Sequence, residues 1–131
     1  MEDESGLKLY KALQETVDRV RKEGADYVIL VGHLGTNGAL PKWSSGAIAA
    51  HTYNIDAVID GHSHEQYEPP HKVTNSIGKE VLVTQTGTKL QALGQLVIQE
   101  GGRFSSTLIK TLPAADPKVT ALVARENKRI D

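Results

Sequence analysis

Five histidines are the residues of this chain best suited to chemistry, and three of them sit where hydrophobic runs end. His33 follows "YVILVG", and His62 and His64 follow "AVIDG". Imidazole is the commonest neutral metal ligand. Two histidines at i and i+2 on an extended loop point the same way, so they can chelate one ion. They can equally span two ions held roughly 4 Å apart, the spacing of two-metal sites. The bland alternative for each is a polar loop residue, because short motifs alone are weak. Glycine before each site (Gly32 and Gly61) lets the backbone turn sharply. His51 lies inside a predicted helix and His71 in a proline-flanked loop; both read as solvated or partly packed side chains.

Other features carry less. "GHLGTNG" (32–38) has glycines after a strand, but its spacing fits neither the dinucleotide fingerprint nor the Walker loop. Asp60 is either an acceptor that orients a ligating imidazole or a capping and packing residue. "TQTGTK" (84–89) either borders the histidine cleft or is ordinary turn chemistry. Trp43 beside Pro41 reads as a packed loop anchor.

The elements that must position these residues follow from periodicity. Residues 7–23 read as an amphipathic helix with Leu9, Leu13, Val17 and Val20 on one face, Ser5 as cap and Gly24 as stop. Tyr27 to Val31 is a β-branched run that suits a strand buried on both faces. Residues 43–52 predict a second helix capped by Ser44 or Ser45, and Ala57–Ile59 a second buried strand. This alternation favours a parallel sheet with a right-handed crossover. Both histidine loops then leave the carboxyl ends of strands, where open α/β sheets hold their ligands. Neighbouring strands lie roughly 5 Å apart, so His33 can approach the His62/His64 pair if the two strands adjoin. Residues 69–80 read as a loop; 81–87, 93–99 and 104–110 read as a meander of three strands, with Gly101-Gly102 as a hairpin turn. The terminal "DPKVTALVARENKRI" predicts a helix capped by Asp116, with Pro117 in its first turn. The fold class is thus α/β, a βαβ unit followed by a β-meander and a terminal helix.

Composition bounds the rest. At 131 residues the chain is expected to be one domain, able to bury roughly two thirds of its unfolded surface. The absence of cysteine excludes disulfides, thiolate catalysis and cysteine-based zinc sites. A net charge of -1 gives no reason to expect nucleic acid or an anionic membrane as partner. No apolar stretch approaches the roughly 20 residues of a membrane span, and "MEDESG" does not read as a signal peptide.

"GADYVILVGHLG", "IDAVIDGHSH" and "VLVTQTGTKLQALGQLVI" together resemble the metallophosphoesterase domain of the 5'-nucleotidase family, which is calcineurin-like. The resemblance runs from about Leu7 to about Leu112, and GHSH after a buried strand is its most specific element. It implies a four-layer αββα sandwich around two divalent ions, zinc or manganese, and hydrolysis of nucleotide or related phosphate monoesters by metal-activated water. It matches His33 and His62 to ligands of the second metal and His64 to a ligand of the first. The family's Asp-x-His, Gly-Asp-x-x-Asp and Gly-Asn-His-Asp/Glu motifs do not occur here. By this resemblance residues 1–131 are the carboxyl-terminal half of the catalytic domain, and 113–131 a linker helix toward an absent substrate-binding domain. The expected partners are the missing amino-terminal half, the phosphate-ester substrate and, through exposed apolar surface, a second copy. The chain alone is expected to be inactive and to bind at most one ion weakly. Family members are often exported. The competing readings are a non-enzymatic metal-binding or self-associating module, and a complete single-metal hydrolase of another α/β family. The second lacks a nucleophile, base or carboxylate ligand in any matching motif.

Overall fold

A computed structural model describes residues 5–36, 41–111 and 114–130. The acidic start (1–4), the second half of the glycine loop (37–40), residues 112–113 and residue 131 lie outside the described residues.

Helix α1 (Leu7–Lys22) buries Tyr10 and Val17 and packs Leu13 and Val17 on the core, the face that the apolar spacing predicts. Gly6, with φ +76°, takes the N-cap position expected of Ser5, and Ser5, one residue earlier, accepts on Oγ from the Leu7 N–H at 3.2 Å. Gly24 ends it with φ +101°, which suits glycine. The Ala25 and Gly24 N–H groups return to the carbonyls of Val20 and Arg21, a Schellman closure that satisfies two last-turn acceptors.

Strand β1 (Ile29–Val31) leads through a short 3-10 turn (Pro41–Trp43) to helix α2 (Ser45–His51) and strand β2 (Ala57–Asp60). Ser44 caps α2 by accepting from the Ala47 N–H at 3.2 Å. β1 and β2 pair in parallel, so the expected βαβ unit forms and the two histidine-bearing strands adjoin. Arg21 ties this unit to α1. Its guanidinium reaches the Asn54, Ala25 and Asp26 carbonyls and pairs with Asp56 at 2.5 Å. Asp56 also accepts the Val28 N–H at 2.7 Å.

The second half departs from the expected meander. Residues His71–Thr74 form strand β3 rather than a loop, antiparallel to β4 (Glu80–Gln85). Only Val73 of β3 is apolar, so period-two alternation could not show; a sheet edge tolerates such polarity. The turn between them is held by Asn75, whose Oδ1 accepts from the Ile77 and Lys79 N–H groups. β4 does not continue into a meander but pairs in parallel with β2, which gives one mixed sheet of order β1-β2-β4-β3. β5 (Leu93–Ile98) and β6 (Phe104–Ile109) form a separate hairpin around the expected Gly101-Gly102 turn. Helix α3 (Pro117–Ile130) is capped as expected by Asp116, which accepts from the Lys118 and Val119 N–H groups.

The core lies on one face of the sheet, where Val58, Val81 and Val83 meet Val17, Ala49, Ile55 and Tyr67. β4 is buried along almost its whole length. β1 is not buried on both faces: it is the sheet edge, with Val28 and Leu30 on the core and Val31 74% exposed. Among the described residues nothing covers that side.

Ile48, on the buried face of α2, is 1% exposed. Ile48→Ala is expected to destabilise the fold by about 2–5 kcal/mol, measured by urea denaturation with an unchanged m-value.

Candidate metal-binding histidine site

The sheet delivers His33 and His62 to the same end. In the last row of β1 with β2, Val31 lies beside Ile59, and in the next row, of β2 with β4, Asp60 lies beside Gln85. Immediately beyond it the chain turns at both strands. The imidazoles of His33 and His62 meet edge to face, centroids 5.1 Å apart at 79°. Neither glycine at the crossing can be larger without displacement. A Cβ on Gly35 would lie 3.0 Å from the His62 ring, and one on Gly61 would lie 3.2 Å from His33 Nδ1. All three histidines of the proposed set are exposed.

The loop after β1 is held by Asp60. Its carboxylate, on a residue 8% exposed, accepts the Leu34 N–H at 2.8 Å and the Gly35 N–H at 3.0 Å. Asp60 is therefore a capping residue for the His33 loop, not an acceptor that orients an imidazole. Gly35 returns a bond through its carbonyl to the Ser45 N–H at the start of α2.

The loop after β2 is held by a hydroxyl and amide network. Gln85, at the end of β4, accepts the Glu65 N–H on Oε1 at 2.9 Å and meets Ser63 Oγ with both Oε1 and Nε2. Thr36 Oγ1, from the loop after β1, lies 2.9 Å from Ser63 Oγ and 2.7 Å from the Tyr67 hydroxyl, and donates to Glu65. The bond from Thr36, with those from Ser63 and Tyr67, holds the Glu65 carboxyl below the usual range against its partial desolvation. Burial pushes the Tyr67 phenol above its ordinary range. Within this turn His62 and His64 take left-handed φ of +86° and +58°, conformations that cost a non-glycine residue free energy.

Thr36, Ser63, Glu65 and Tyr67 were not singled out by sequence reasoning. Their signal is only that each lies within three residues of His33, His62 or His64. Gln85 lay within the stretch for which a place beside the cleft was one of two readings. His51 and His71 are structural: each stacks on a tyrosine, Tyr10 at 4.6 Å and Tyr67 at 3.7 Å. Trp43 is half-buried in its 3-10 turn.

His64 follows His62 by two residues but makes no ring contact with either partner among the described residues. The donor chemistry fits a borderline divalent ion, since imidazole suits zinc, copper, iron and nickel. The donor count does not complete a site: among the described residues no three histidines or carboxylates come together to hold an ion. The chain thus presents two adjoining imidazoles, with a third on the same turn. A groove of about 750 Å³ opens at the other end of the strands, but its Arg21 is committed to Asp56 and its Lys72 to Glu80.

Comparison with known proteins bears on the family and the fold. The sequence profile of the calcineurin-like phosphoesterases matches residues 1–66, and the chain belongs to that family. Two solved structures share the fold. One is a 5'-nucleotidase precursor from Thermus thermophilus, with a TM-score of 0.64 and 21% identity over 78% of this chain. The other is the NAD nucleotidase of Haemophilus influenzae, with a TM-score of 0.59 and 22% identity over 75% of this chain. The match covers 22% and 21% of those chains, so this chain spans about a fifth of their length. No curated protein matches the sequence. No helix among the described residues is long and apolar enough to cross a membrane.

Two outcomes follow. Asp60→Ala leaves the Leu34 and Gly35 amides without their acceptor and is expected to cost about 1–3 kcal/mol. Amide exchange at those two positions should accelerate, and the nuclear Overhauser contact between the His33 and His62 rings should vanish. The raised Tyr67 pKa stabilises the fold while the phenol is neutral. That contribution is complete below the ordinary phenol value of about 10 and is lost as pH rises through the higher folded-state value. Alkaline unfolding curves of the wild type and Tyr67→Phe should therefore differ in pH dependence above that point.

Proposed function

We propose that this chain contributes His33, His62 and His64 to a two-metal phosphoesterase centre that hydrolyses nucleotide or related phosphate monoesters. The observation that carries this reading is the edge-to-face meeting of His33 and His62 at the carboxyl ends of adjoining parallel strands. Family membership and the shared fold of two nucleotidases support it. On this reading residues 1–131 act as the carboxyl-terminal half of the catalytic domain, with 113–131 leading toward a substrate-binding domain. The bridging carboxylate and the remaining ligands come from an amino-terminal half. Divalent ions, zinc or manganese, supply charge neutralisation on the phosphate oxygens and an acidified water when bound. This chain's own part is to hold neutral imidazole nitrogens in register. An extracytoplasmic location belongs to the same proposal, supported by the description of the Thermus protein as a precursor.

A second reading, a self-associating module, is favoured by one observation: Val31 and Ile29 stand exposed on the free edge of the sheet. Light scattering should show dimers or larger species; a clean monomer would remove this reading.

Zinc titrated into the isotopically labelled chain should shift the His33 and His62 ring resonances together. His62→Ala should weaken binding. The chain by itself should not hydrolyse p-nitrophenyl phosphate with zinc or manganese added. Metal-dependent turnover abolished by His62→Ala would show that the chain carries a complete site.

A further inference from the structure

We propose that Gln85 is a positioning residue for the His62/His64 turn, clamping it from the neighbouring strand before any metal binds. The inference rests on reading those histidines as ligands, but its physical basis is separate. Gln85 is 1% exposed, so its amide has no water to fall back on. Its Oε1 accepts the main-chain N–H of Glu65, the residue directly after His64, at 2.9 Å. Its Oε1 and Nε2 lie 3.1 and 3.0 Å from the hydroxyl of Ser63, the residue between the two histidines. Its own carbonyl accepts the Tyr67 N–H at 3.0 Å, and Gln66 bridges Thr86 beside it. A single buried side chain thus grips the residues that flank His64, while both histidines hold left-handed φ angles that the chain alone would not favour. Ser63 passes the constraint to Thr36 at 2.9 Å, which lies three residues beyond His33. The two histidine loops are therefore joined by Gln85–Ser63–Thr36 without a metal between them. Groups that orient ligands in this way typically change metal affinity by about 10–100-fold when removed.

The test uses the full chain and zinc alone as the probe. Gln85→Met keeps the shape and removes the amide. Zinc affinity by calorimetry should fall by about 10–100-fold. Exchange at the Glu65 amide should accelerate, while the Leu34 and Gly35 amides held by Asp60 keep their protection. Unchanged zinc affinity with a freed Glu65 amide would overturn the positioning role. Uniform loss of protection at all three amides would mark Gln85 as a general fold residue and also overturn it. Should Gln85→Met fail to fold, Ser63→Ala decides: it leaves the Glu65 bond in place, so a smaller loss of affinity supports the clamp and none overturns it. If the wild-type chain binds no zinc, the ligand reading falls on its own. The clamp is then judged by Glu65 exchange, where acceleration in Gln85→Met supports it and unchanged protection overturns it.

Discussion

The Asp60 carboxylate and the two amides it accepts determine how the histidine end of this molecule is built. An ionised carboxylate that is nearly buried must have donors, because its hydration has been given up. Here the donors are the backbone N–H groups of Leu34 and Gly35, which belong to a different strand's loop. The described residues of that loop, 33–36, have no helix or strand to satisfy their amides. The interaction therefore solves two desolvation problems at once, and its geometric by-product is that His33 is drawn across β2 toward His62. Bonds in which one partner is charged are worth more than neutral ones, which suits a position where a loop must be held without a large apolar anchor.

The same device is used one strand over. Asp60 and Gln85 are register partners at the carboxyl ends of β2 and β4. Asp60 reaches back to the loop after β1, and Gln85 to the loop after β2. Each strand end thus secures the loop of its neighbour, in a parallel sheet where consecutive loops emerge side by side. The hydroxyls of Thr36 and Ser63 link the two grips, and Tyr67 and Glu65 close the network from the far side. Such polar networks hold a single arrangement only when every member is satisfied, and no buried side-chain polar atom among the described residues lacks a partner.

Much of this was legible in the residues. The βαβ unit followed from helical and strand periodicities, and the caps at Ser44 and Asp116, the stop at Gly24 and the Gly101-Gly102 turn followed from local chemistry. Placement of His33 beside His62 required only that the two strands adjoin. The misreadings have tertiary causes. β3 is polar because it is an edge, so its residues carry no alternation. β4 has the composition of a meander strand, yet pairs with β2 because its apolar residues fill both faces. β1 reads as a doubly buried strand by composition but lies at an edge among the described residues. Thr36, Ser63 and Gln85 carry no individual signal, since a hydroxyl or amide near a turn is common; only the register of Asp60 with Gln85 gives them a shared task.

The edge of β1 has a consequence for how this surface can grow. Val28 and Gly32 spend their backbone groups on β2, through the Asp56 N–H and the Ile59 carbonyl. The alternation of a parallel ladder then turns the amides and carbonyls of Ile29 and Val31 outward. His33 stands two residues past that open row. A strand hydrogen-bonded there, parallel to β1, would leave the sheet at the same end, its first loop within one strand spacing of the imidazole. Among the described residues the edge is therefore a row of backbone donors and acceptors that ends beside His33. The row fixes the line along which an added strand would lie, while that strand's own side-chain pattern would set which residue comes to the imidazole.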